Sequence, residues 1–200
     1  SRPAGPLWLI GAWFPSSPTV PEFFNGKIDD VQVYGGALTA QDVLDLYNNP
    51  GTTKGGNSIG TRYCSPAVAN STGNPSTLTV NGSVLISQND VTLTATDLPN
   101  NAFGFFLTSQ NQGFTGNPGG SQGNLCLSGA IGRYVGPGQI QNSGSAGEIS
   151  LVLDLTQTPT PTGLVTVLSG ETWNFQGWHR DAVGGMATSN FTDGVSVLFN

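Results

Sequence analysis

From Thr61 onward the apolar residues of this chain fall into short alternating runs, and nowhere do they recur at helical spacing. Val91, Leu93 and Ala95 alternate with Thr92, Thr94 and Thr96, and Ile149, Leu151, Leu153 and Leu155 repeat the pattern. A period of two places one set of side chains on each face of a strand, so such runs are half-buried strands and exclude amphipathic helices. Thr77–Val80, Ser83–Ser87 and Val91–Asp97 read as a meander, with Asn81-Gly82 as its tight hairpin turn. Ala102–Ser109 reads as an apolar central strand, and Gln110–Gly123 as a long Gly/Asn loop. Ile149–Leu155, Leu164–Leu168, Glu171–Asp181 and Val195–Phe199 complete the set. Short strands broken by frequent turns predict an antiparallel β-sandwich.

Composition supports this and narrows the function. The chain has 200 residues, of which only 9% are charged, against roughly 25% in an average globular protein. Its 29 glycines and 13 prolines supply the turns. A formal charge of −6 argues against nucleic acid or an anionic membrane surface as partner, since both need clustered Lys and Arg. No apolar run approaches the ~20 residues of a membrane-spanning helix. Residue 1 does not open a signal peptide, so an export signal is expected upstream.

Cys64 and Cys126 are the only cysteines, with no histidine near either, which is too few ligands for zinc. A disulfide and a pair of free thiols both fit the spacing. The disulfide suits the loop-rich composition better and implies an exported protein.

The first fifty residues differ in character. Asn25-Gly26 supplies a turn, Asp29–Tyr34 alternates with Val31 and Val33 on one face, and Gly35-Gly36 ends the strand. Thr39 is a good N-cap with Asp42 three residues on, and Ala40, Val43, Leu44 and Tyr47 repeat at helical spacing. The whole stretch, FFNGKIDDVQVYGGALTAQDVLDLYN, resembles the closing strand and helix of the laminin-G-like, concanavalin-A-like jelly rolls of secreted bacterial proteins. Leu7 and Leu9–Ala12 resemble the preceding strand of that pattern. The resemblance implies residues 1–49 as the C-terminal end of such a domain, 50–60 as a Gly-rich linker, and 61–200 as a separate module. The fold class expected is therefore all-β: an antiparallel, jelly-roll-like sandwich preceded by the last strands and short helix of a laminin-G-like one. Residues 1–49 alone bury too little surface to be stable. Their partner strands are expected from an upstream part of the polypeptide, another subunit or the second half of the chain.

Tyr63–Gly73 (YCSPAVANSTG), Gly119–Leu127 (GSQGNLCL), Trp173–Asp181 (WNFQGWHRD) and Ser189–Val195 (SNFTDGV) resemble a C-terminal module of large secreted proteins of planctomycetes and related bacteria. That resemblance implies location and fold; it carries no activity.

Chemistry-bearing residues are sparse. The single histidine, His179, reads as an outward polar position, with no motif-placed nucleophile beside it. The carboxylates Glu148, Asp154 and Glu171 are scattered and do not make a glycosidase pair. These observations predict no enzyme activity and no required cofactor. Asn25, Asp29 and Asp30 are candidate ligands for a structural calcium ion, as are Asn190 and Asp193. Trp173, Trp178, His179 and Arg180 are candidate glycan-binding residues, with Trp8, Trp13, Tyr134 and Phe114 as further aromatics. The competing reading is that the tryptophans fill the core.

Two functions follow as expectations. One is an extracellular, cell-surface structural or adhesion module that self-assembles into a filament or layer through β-edge pairing, with copies of itself or its own upstream polypeptide as partner. The other is an accessory module that binds polysaccharide for a larger secreted protein.

Overall fold

The apolar run Ala102–Ser109 supplies an interior strand of the larger sheet, one place from its middle. In the computed structural model, residues 58–200 are described throughout, together with Ala12, Trp13, Glu22, Phe23, Val31, Val43, Leu46 and Tyr47. The chain divides into two compact units, Ser1–Lys54 and Gly55–Asn200.

In the first unit, β1 (Ala12–Trp13) pairs antiparallel with β2 (Glu22–Phe23). Val43, Leu46 and Tyr47 are helical, and of these Val43 and Tyr47 belong to the set whose spacing predicts a helix. Val31, expected on the buried face of a strand, lies outside any strand and is 49% exposed.

The second unit is built from β3 (Thr61–Tyr63), β4 (Thr77–Gly82), β5 (Val91–Thr96), β6 (Phe103–Ser109), β7 (Asn111–Gly116), β8 (Asn124–Ser128) and β9 (Gly132–Arg133). It continues with β10 (Gln141–Asn142), β11 (Ile149–Leu153), β12 (Thr158–Thr160), β13 (Gly163–Val165), β14 (Thr172–Val183) and β15 (Met186–Leu198). One antiparallel sheet runs β10-β6-β14-β15-β3, with β9 also on β6. A second runs β11-β5-β4. Leu78, Val80, Val91, Leu93 and Ala95 from the second sheet pack on Phe106, Trp173, Phe175, Val195 and Val197 from the first, forming one continuous core. This is an antiparallel β-sandwich. The β7–β8 and β12–β13 hairpins are separate ribbons.

Four sequence expectations fail for identifiable reasons. Asn81-Gly82 is the end of β4, not a turn, because Gly82 still pairs with Val91. Gly82 sits at φ +123°, and a Cβ there would lie 2.0 Å from the Asp90 carbonyl oxygen, so the ladder continues only with glycine. Ser83–Ser87 is consequently a loop ending in the 3-10 turn Ile86–Gln88. Its Val84 and Ile86 alternate because they drop against the core, while the Val84 carbonyl and the Ile86 N–H bond the backbone of Asn200. Gln110–Gly123 is not all loop: β7 forms within it, paired with β8. Nearly every β7 residue is exposed, so no apolar period marks it. Finally, β15 starts nine residues earlier than Val195, because Gly184 and Gly185 both take positive φ and make a two-residue hairpin turn from Val183 to Met186.

Cys64 and Cys126 are disulfide-bonded, with Cα atoms 6.3 Å apart and a sequence separation of 62. The bond joins the end of β3 to β8. Tyr63 donates its hydroxyl to the Cys126 carbonyl at 3.2 Å beside it. Replacing both cysteines by serine is expected to lower the unfolding free energy by about 4 kcal/mol, the chain-entropy value for such a loop. The measurement is a denaturant midpoint without reductant. An unchanged midpoint would mean that β3 and β8 are held by their other contacts alone.

Candidate functional site

The outer face of the larger sheet carries the aromatic surface. Along β6 the alternation sends Phe106 into the core and Phe103, Phe105 and Leu107 outward. On β14, Trp178 stands directly opposite Phe105 in the ladder. Their ring centroids are 4.9 Å apart at an interplanar angle of 32°, within the range of attractive aromatic pairs. Arg180, two residues on and therefore on the same face, lies with its guanidinium carbon 5.8 Å from the Phe103 ring centroid. On the other side of β6, Arg133 of β9 pairs with Leu107. A cleft of about 630 Å³ opens among Phe105, Leu107, Leu125, Ile131, Arg133 and Trp178. A neighbouring one of about 410 Å³ is lined by Phe103, Phe105, Ile140, Trp178 and Arg180. Both have the size of ligand sites, and the Phe105–Trp178 pair belongs to both.

A bulge completes this surface. Gln176 pairs with Gly194 but Trp178 with Phe191, so Gly177 faces two residues of β15, Thr192 and Asp193. The extra residue reverses the facing of everything before it. Val195 and Val197 point into the sandwich core, whereas Phe191 joins Leu107, Leu127 and Trp178 in a second cluster. The Thr192 hydroxyl accepts the Gly177 N–H at 2.8 Å, replacing the ladder bond that the bulge removes.

Beneath Trp178 lies a buried polar network. His179 is fully buried, correcting the expectation that it faces outward. Alternation explains this: Trp178 and Arg180 share a face and His179 takes the other. Its Nδ1 lies 3.1 Å from the Arg180 carbonyl oxygen, which can only accept, so Nδ1 carries the proton. Nε2, 3.0 Å from Ser76 Oγ, then accepts the serine hydroxyl. Ser76 Oγ in turn accepts from Asn70 Nδ2 at 2.9 Å. This is the geometry of a Ser–His pair without access. Ser76 is 1% exposed, and His179 Nδ1 is oriented by a carbonyl instead of a carboxylate. Asp181, next inward on β14, accepts from the Ser71 and Ala182 N–H groups and from Asn190 Nδ2. Burial alone would raise the Asp181 carboxyl, but these bonds outweigh it and hold the group below its ordinary range.

Trp173 is also in the core, 3% exposed, with Nε1 donating to Glu171 at 3.0 Å. Of the four glycan-binding candidates, the structure therefore brings Trp178 and Arg180 together on the surface and puts Trp173 and His179 inside. Tyr134 is buried, and Phe114 is exposed on β7. Sequence reasoning missed Phe103, Phe105, Arg133 and Phe191. The alternation of Phe103, Phe105 and Leu107 was a usable signal. Phe191 had none, since the bulge decides its face.

Asn25, Asp29 and Asp30 lie outside the described residues. Asp193 is taken, with Oδ1 accepting the Leu78 N–H at 2.7 Å and Oδ2 the Arg62 guanidinium at 2.6 Å. Asn190 is bonded to Asp181 and to the carbonyls of Val68 and Ala69. Among the described residues no three His, Cys, Asp or Glu side chains gather as metal ligands. Compared with known proteins, the chain matches no family model, no curated protein and no solved structure.

Burial holds the His179 imidazole below its ordinary pKa of 6.5, with the Arg180 carbonyl and Asp181 opposing more weakly. The unfolded chain therefore binds that proton more readily than the native one. The neutral imidazole's contribution is complete above the unfolded pKa and is lost as pH falls below about 6.5. Below about 4 the protonation of Asp181 adds a loss of the same sign. Because His179 is the only histidine, the denaturant midpoint is expected to fall between pH 7.5 and 5.5, and His179→Gln is expected to flatten that slope. A slope equally steep in the variant would contradict the assignment.

Proposed function

We propose that the protein is a non-catalytic, extracellular adhesion module that binds carbohydrate on the outer face of its six-stranded sheet. The observation that carries this reading is the tilted Phe105–Trp178 pair, which floors two adjoining clefts open to solvent. The CH faces of sugars pack on aromatic rings, and arginines beside the rings bond the polar substituents. The disulfide supports an oxidising, extracellular setting. The resemblance of residues 1–49 to laminin-G-like domains and of 61–200 to a secreted bacterial module points the same way.

Self-assembly through β edges has less to draw on in residues 58–200. On β11 the Gln141 side chain already takes the edge: Nε2 donates to the Ser150 carbonyl at 2.6 Å, and Oε1 accepts the Ser150 N–H at 3.0 Å. Just beyond that strand, Asn89 accepts the Leu155 N–H at 2.8 Å. On the larger sheet, β3 is an edge of only three residues. Edges that are short or occupied resist templated pairing.

On a glycan array the full chain is expected to bind one or more polysaccharides, and Trp178→Ala to weaken that binding roughly tenfold or more, the usual cost of removing a central aromatic anchor. Binding that survives Trp178→Ala unchanged would move the site elsewhere. Ordered filaments or large uniform oligomers in sedimentation without ligand would instead favour assembly, with residues 1–49 completing a neighbour's sheet.

A further inference from the structure

We propose that the glycan bound on this face is anionic, a polymer whose sugar units carry carboxylate or sulfate groups read by Arg133 and Arg180. This rests on the carbohydrate reading and specifies its ligand. The molecule carries a formal charge of −6, yet the cations among the described residues are unevenly placed. Between residues 58 and 200 they are Arg62, Arg133 and Arg180. Arg62 is committed to Asp193 at 2.6 Å. The other two both line the clefts around Trp178, and among the described residues neither has a carboxylate partner. No carboxylate lines either of these clefts; a third, on the Thr188 side of Trp178 and Arg180, includes Asp181. The nearest on β14, Asp181, is 7% exposed with its oxygens turned to Ser71, Ala182 and Asn190.

An acidic protein that places two arginines, neither paired with a carboxylate among the described residues, beside one aromatic floor offers local complementarity to a negative ligand. Arginine is suited to this role, since its planar fork meets carboxylate or sulfate oxygens two at a time. Phe103 under Arg180 limits the poses of that side chain before any ligand arrives.

The spacing favours a polymer over a small free anion. Arg133 stands beside Leu107, and Arg180 sits in the row of Phe103, with Phe105 and Trp178 between them. Four residues of strand separate the two rows, about 13 Å. A run of sugar units spans that distance, with one ring on the aromatic pair and its charged neighbours at the arginines; a single sulfate or acetate ion does not.

The test uses the full chain with polygalacturonate, carrageenan and dextran, which present carboxylate, sulfate and no charge. Binding to at least one acidic polymer is expected to be tenfold or more tighter than to dextran, and the tighter acidic polymer identifies the substituent. The double variant Arg133→Gln/Arg180→Gln, whose exposed side chains leave the core untouched, is expected to lose roughly tenfold or more on that polymer and little on dextran. Trp178→Ala should weaken all binding. Dextran bound as tightly as the acidic polymers, or acidic binding unchanged in the double variant, would overturn the anionic ligand while leaving carbohydrate binding in place. No binding to any of the three, together with no binding on the glycan array, would overturn both.

Discussion

The bulge opposite Gly177 is the constraint on which both faces of the larger sheet depend. With two residues of β15 set against one of β14, Thr192 and Asp193 are both buried. Asp193 reaches across the sandwich: its carboxylate holds the Leu78 N–H and the Arg62 guanidinium, and its own N–H bonds the Ser76 carbonyl at 3.4 Å. The two sheets are thus pinned to each other at one point by a charge-assisted cluster. Beyond the bulge the facing reverses, so Phe191 comes out under the aromatic surface while Asn190 goes in to meet Asp181. A Cβ at Gly177 would lie 2.9 Å from the Thr192 methyl, so a larger residue there has to displace the side chain whose hydroxyl accepts the Gly177 N–H. Sandwich, buried network and outer cleft therefore share one local irregularity.

The scarcity of charge fits this mode of construction. Where backbone groups lose ladder partners, side-chain amides replace them. Gln176, fully buried, accepts the Cys126 N–H at 2.9 Å and donates to the carbonyls of Asn124 and Thr192, fastening the β7–β8 ribbon over the sheet. Asn174 bonds the Ser109 carbonyl and Gln112 in the same layer. Neutral amides satisfy buried backbone groups without the desolvation cost of an ion. The few ions that remain inside are saturated with bonds, as at Asp181 and Asp193. That economy is why two arginines beside a cleft stand out.

How far the sequence reveals this depends on which force sets each element. Strands whose one face is buried are plain in it: β5 and β11 alternate because water lies on one side and the core on the other. β6 is legible too, including the outward set Phe103, Phe105 and Leu107. By contrast β7 is exposed on both faces, so hydrophobic pattern says nothing of it, and only its ladder to β8 defines it. The loop after β4 mimics a strand because two of its apolar residues reach the core. Trp173, Trp178, His179 and Arg180 look like one patch in the sequence, but the pleat divides them into an inside pair and an outside pair. Phe191 depends on the bulge, a long-range register effect with no local mark. The disulfide followed from composition and compartment reasoning, and its partners were the only ones available.

On the reading proposed above, the face bearing Phe105, Trp178 and Arg180 is the working surface of the molecule. Amide and indole NMR spectra of the labelled full chain, titrated with an oligogalacturonate, address it residue by residue. The account requires shifts at the Trp178 indole and at the amides of Phe105, Arg133 and Arg180. The Trp173 indole, with its ring buried in the sandwich and its N–H bonded to Glu171, should stay in place as an internal control. Shifts confined to other surfaces, or a Trp173 indole that moves while Trp178 does not, would contradict it.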